Sequence, residues 1–145
     1  MKQRNRKERA RERGHSVLET ALMLPWIFFL FVGAFDMGMY ACAFISVENA
    51  ARVGANYTSA SSGTAADNTV ACGAVLEELK ALPNARNLAS CASLPLIVSV
   101  TAVNGPDGAP ASRVSVTYQT VQLIPLPGLA GSLTLVRTAE MRVRD

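Results

Sequence analysis

Few residues in this chain could do chemistry, and the ones that could sit in unusual surroundings. Glu19 and Asp36 are the only charged residues among the thirty-one from Val17 to Val47. Gly14 stands where a basic segment gives way to His15-Ser16-Val17-Leu18-Glu19. A carboxylate near the start of a membrane helix is costly and needs a partner. Cutting the chain after Gly14 would create a new α-amino group at His15, four residues upstream of Glu19. That ammonium on one subunit can neutralise Glu19 on a neighbour as helices pack side by side. A cut between Gly14 and His15 would therefore give the spacing to Glu19 a physical reason. Asp36 has two readings. It pairs with a basic group of another subunit, or it is solvated near the outer interface.

Conventional catalysis finds little to work with. The chain has three cysteines, one histidine and no C-x-x-C, which argues against a zinc site. A Ser-His-Asp or Cys-His centre would have to use His15, the only histidine. There is no Gly-rich phosphate loop and no metal-ligand cluster. Glu77 and Glu78 are adjacent on a predicted helix and do not face each other, so they do not make a two-carboxylate site. The expectation is a protein that is not an enzyme, with no cofactor and no metal.

The element that must position Glu19 is a membrane-length helix. Half of the 145 residues are apolar and only 17% are charged, against about 25% in average soluble domains, so the chain is too greasy to be disordered throughout. Between Glu19 and Asp36 lie sixteen uncharged residues, and eleven more follow before Glu48. The whole stretch exceeds the roughly 20 residues needed to cross about 30 Å of hydrocarbon. The remaining chain is too small to wrap a helix that is apolar all round. A cleaved secretory signal is the alternative, but the apolar run is longer than such signals use and passes into an Ala-rich helical pattern. Residues 1–14 carry a net charge of +5 and the rest of the chain −2. The positive-inside bias then puts the N-terminus in the cytoplasm, in an inner-membrane, single-pass topology with an extracytoplasmic C-terminal domain. The basic segment lacks interleaved aromatics, so the expected partner is membrane lipid and not nucleic acid.

The helix is expected over about Ser16 to Asn56, roughly 60 Å at 1.5 Å per residue. Pro25 removes one backbone donor and predicts a kink or a loosened turn. Ala34, Gly38 and Cys42 recur at four-residue intervals, followed by Ala50 and Gly54. This is either a small-residue stripe for helix packing in lipid or simply an Ala-rich helix. Glu48 and Arg52 are spaced to pair.

Beyond the polar linker after Thr58, the sequence predicts a helix over 70–82 capped by Asn68 or Thr69 and ended by Pro83. Strands are expected over 94–103, 112–123 and 132–143, with Asn104–Gly108 as a turn and Pro125–Gly128 as a breaker. The fold class is therefore α+β: a long N-terminal membrane-spanning helix, then a small outer domain of one helix and an antiparallel sheet of about three strands. The expected organisation is a basic cytoplasmic leader over 1–14, a transmembrane and projecting helix over 15–58, and an outer domain over 59–145. Cys72 and Cys91 have eighteen residues between them. They are either two buried thiols or a bridge, which loop closure would make worth about 3 kcal/mol. Asn56-Tyr57-Thr58 has the form of a glycosylation sequon, a match too short to weigh much.

The segment GHSVLE followed by an apolar helix resembles the processing site of type IV prepilins. The longer stretch resembles the TadE-like family of tight-adherence pilus systems. The marks are Glu19 and Ala21, Leu24-Pro25, Gly33, Asp36-x-Gly38 and Ala50-Ala51-Arg52-x-Gly54-Ala55. The strong resemblance covers residues 14–58, with a looser one over 114–144. Thr20 stands where the family commonly has Phe. The resemblance implies a minor pilin or pseudopilin, cut after Gly14 by a membrane-embedded prepilin peptidase and acting in pilus assembly. Its implied partners are that peptidase, other pilin or pseudopilin subunits and the inner-membrane assembly platform. The competing reading is an unprocessed single-span protein whose outer domain binds an envelope partner.

Overall fold

A computed structural model describes residues 4–121 and 131–144, with side chains described from Ser16 onward. The expected breaker at Pro125–Gly128 lies outside the described residues. The fold is α+β. Its elements are helix α1 (Arg4–Thr58), helix α2 (Asn68–Leu79) and strands β1 (Ala92–Ser93), β2 (Leu96–Asn104), β3 (Pro110–Gln119) and β4 (Thr134–Arg142). The chain divides into two compact units, residues 1–38 and 39–145.

In the first unit α1 is unbroken through Pro25. It begins at Arg4, twelve residues before the sequence-based start at Ser16. Charged residues such as Arg, Lys and Glu are good helix formers, so charge alone does not stop a helix. The whole run from Ser16 to Phe31 is exposed.

The second unit holds the last turns of α1, α2 and the sheet. The four strands form an antiparallel meander in the order β1-β2-β3-β4. The sequence reading had about three; the addition is β1, whose two residues pair with Ile97 and Leu96 and are too short to leave a periodic signal. β2 and β3 pair in continuous register from Leu96↔Tyr118 to Asn104↔Pro110. Their connection is closed by Gly105 N donating to Ala109 O at 2.8 Å, and Gly108 takes φ +78°, which favours glycine. β3 starts at Pro110, two residues before the expected start: a proline at the first strand position surrenders no ladder donor.

Period-two alternation decides which sheet face is buried. Leu96, Val98 and Val100 of β2 and Val114, Val116 and Tyr118 of β3 point into the core. Ala71, Val75 and Leu79 of α2 and Val47, Ala50, Ala51 and Ala55 of α1 pack on them. Small residues on α1 let its backbone come close to the sheet. Gly54 sets the limit: a Cβ there would lie 3.2 Å from both Val114 Cγ1 and Val75 Cγ2.

The ends of both helices are closed by named groups. Thr58 is fully buried, and its hydroxyl shares a hydrogen bond of 2.7 Å with Ser112, whose hydroxyl also donates to Ala65 O at 2.9 Å. The cap of α2 is Asp67, not Asn68 or Thr69. Its Oδ1 accepts from Thr69 N at 2.8 Å and Val70 N at 3.4 Å. Asn68 is occupied elsewhere, its Oδ1 accepting from Val100 N at 2.8 Å. The helix ends at Leu79, three residues before the expected Leu82, for a reason that lies in Pro83. Continuing the helix would need a Pro83 N–H for the Leu79 carbonyl. Leu82 N donates to Leu79 O instead, at 2.9 Å.

Candidate functional site

The segment that carries the chemistry is α1 from Gly14 to Asp36. Gly14 and His15 lie within its helical backbone, and their side chains are outside the description. Glu19 is exposed, and among the described residues it makes no hydrogen bond or ion pair. Beside it, the Thr20 hydroxyl donates to Ser16 O at 2.9 Å, closing the turn just after the Gly14–His15 bond. Above Glu19 the large apolar side chains face outward on every side: Leu22 is 72% exposed, Trp26 74% and Leu30 74%. Only 6% of the most apolar eighteen-residue window is buried. A core helix of a soluble protein is mostly buried, so this helix is not one. Among the described residues it is the one helix long and apolar enough to cross a membrane. It provides a single-pass anchor.

Asp36 and the small-residue stripe prove to be different features. Asp36 is 6% exposed, and Val32, one turn earlier, is 5% exposed. Ala34, Gly38 and Cys42 are all exposed, and a Cβ at Gly38 would meet nothing within 4 Å. A two-residue offset is about 200° around a helix, so the acid and the stripe lie on opposite faces. Nor does the stripe continue into Ala50 and Gly54. Four-residue steps drift about 40° each on a 3.6-residue helix. By Ala50 the row has rotated away, and Ala50 and Gly54 are buried inside the same subunit against α2 and β3. Cys42 is a free, exposed thiol.

The second unit adds one side chain that the sequence reading passed over. Arg137 sits on β4 opposite Val116, on the core side of the sheet. Its guanidinium lies 3.8 Å from the centroid of the Phe44 ring, and its Nε is 3.5 Å from Glu48 Oε2. Arg52 donates to Glu48 Oε1 at 3.0 Å, so one carboxylate serves two arginines. The signal was present: in Leu135-x-Arg137-x-Ala139-x-Met141 a charge interrupts an inward row on an edge strand, a device that discourages strand addition. Asn68, expected as a cap of α2, instead accepts from Val100 N of β2.

Cys72 and Cys91 are joined in a disulfide with a Cα–Cα distance of 5.8 Å. Glu77 pairs with Lys80, and Glu78 accepts from Asn49 Nδ2 at 2.8 Å, so the two acids serve separate contacts. Thr58 of the sequon is buried with its hydroxyl engaged, while Asn56 and Tyr57 are exposed. Burial pushes the Tyr118 phenol up from its ordinary 10.0, while the Asn84 backbone acts in the opposite sense. Among the described residues no group of three or more His, Cys, Asp or Glu could hold a metal ion.

No curated protein and no solved structure gives a significant match to this chain. A family model does match, described as TadE-like protein, over residues 14–56. The match opens at the Gly14–His15 junction and closes two residues before the end of α1, spanning both the exposed apolar half and the small residues packed on the sheet. From Gly14 to Asn56 the chain is therefore similar to TadE-like proteins, and that stretch lies on the long helix α1.

Proposed function

We propose that this chain is a TadE-like pseudopilin or minor pilin of a tight-adherence pilus system. In this reading a prepilin peptidase cuts between Gly14 and His15. The mature helix stays in the inner membrane, with the basic leader cytoplasmic and residues 59–145 outside as one domain. The observation that supports the reading is the family match over residues 14–56, a stretch that takes in nearly all of the apolar span Ser16–Thr58. Among the described residues nothing pairs with Glu19, and burying a bare carboxylate in lipid is costly. The new His15 ammonium of a neighbouring subunit supplies the missing cation. The chain is then substrate and building block, and the peptidase carries the chemistry. Other pilin subunits, the assembly platform and lipid are its partners.

The test uses two variants in the native host. Gly14→Ala should block maturation, leaving the leader attached. Glu19→Ala should be cut normally and recovered in the membrane, but assembled poorly into pili. Normal cutting and normal function of the Gly14→Ala protein would refute the processing step. Normal assembly of the Glu19→Ala protein would remove the carboxylate from the account.

A further inference from the structure

The outer edge of β2 is closed by two hydrogen bonds that come from different elements. Val98 N donates to Cys91 O at 3.0 Å, and Val100 N donates to Asn68 Oδ1 at 2.8 Å. Asn68 opens α2, while Cys91 immediately precedes β1. Cys72 lies four residues after Asn68, on the same face of α2. The Cys72–Cys91 bridge thus ties together the two elements that cap the edge. β1 itself adds only two paired residues. An unpaired strand edge is a template for another chain, so what keeps it closed matters to a protein that meets copies and partners.

We infer that the Cys72–Cys91 bridge is a redox latch on the β2 edge, closed by exchange with a disulfide, which becomes a dithiol, and opened by a reduced dithiol. Cys72 is half-buried and lines an open cleft of about 450 Å³ together with Asn68, Leu76, Cys91 and Val98, which gives a small dithiol an approach. On opening, a thiolate of the dithiol attacks one sulfur of the bridge and the S–S bond breaks as a mixed disulfide forms. The second thiolate of the dithiol then displaces the remaining cysteine. The bridge takes up two electrons and two protons and becomes two thiols; the dithiol becomes a disulfide. With the link gone, α2 and the segment before β1 move independently, and both caps open.

The experiment is amide hydrogen exchange on the full-length protein in detergent micelles, with and without dithiothreitol. Reduction should speed exchange at Val98 and Val100 by about a hundredfold, the factor loop closure assigns to a bridge of this span, and leave Val116 unchanged. The C72S/C91S double variant without reductant should behave the same way. Asn68→Ala with the bridge intact should speed Val100 alone. Unchanged exchange at Val98 and Val100 after complete reduction overturns the latch. So does an equal rise at Val116, because the bridge would then support the whole unit and not its edge. Neither readout needs a peptidase or a pilus, so this inference can fail or stand independently of the proposed function.

Discussion

The two halves of α1 use similar residues for opposite ends. From Ser16 to Phe31 every residue is exposed. From Ala43 to Thr58 a regular row of small residues is buried against α2 and the sheet. Gly38 and Gly54 state the contrast in one residue type. A side chain at Gly38 meets open space, whereas one at Gly54 meets Val75 and Val114 at 3.2 Å. Small residues on a helix therefore do not by themselves announce helix–helix packing in lipid. Here the upper ones are the floor of a subunit core, and only the lower ones are free for another molecule.

The largest expected effect that sharpens this contrast is a cavity in the upper half. Leu79 is fully buried, and Leu79→Ala should cost the outer unit about 2–5 kcal/mol. Membrane extraction should be unaffected. Denaturant unfolding in micelles, followed at the outer unit, measures the loss; no change would mean that α2 does not carry the core.

Next comes the glycine pair. Gly54→Val should overpack the helix–sheet contact and cost about 1–3 kcal/mol. Gly38→Val should leave the stability of the outer unit within about 0.5 kcal/mol of the parent. Equal effects at the two positions would break the comparison outright.

The smallest effect concerns Tyr118, 1% exposed in the core. Burial raises its folded pKa above the 10.0 of a free phenol. The neutral phenol is the form that fits, so its contribution is complete below pH 10 and fades as pH rises from there through the folded value. Unfolding midpoints between pH 8 and pH 12 should fall at the alkaline end, and Tyr118→Phe should lose that part of the slope. An unaltered slope in Tyr118→Phe would assign it to other groups.

The elements that were legible in the sequence were those with a long period. Val114, Val116 and Tyr118 alternate cleanly, and the apolar run after Glu19 cannot be mistaken. What escaped was decided by contacts distant in the chain. Asn68 looked like a cap, but β2 lies close enough to claim its side chain, which passes the cap to Asp67. β1 is two residues long and exists because β2 needs a partner there. Arg137 read as one more strand residue, although Phe44 and Glu48, some ninety residues away, hold its guanidinium. Ala50 and Gly54 fitted the pattern of a membrane stripe, and only the position of Val114 shows that their partner is internal. The candidate site itself rests on Gly14, His15 and Glu19, whose spacing is visible in the sequence alone.

The most direct test of the central proposal is the intact mass and N-terminal sequence of the membrane-extracted protein, taken from hosts with and without the prepilin peptidase. The account predicts a chain beginning at His15 when the peptidase is present and a chain retaining residues 1–14 when it is absent. An uncut chain under both conditions would contradict it, and would leave Glu19 without the ammonium proposed to pair with it.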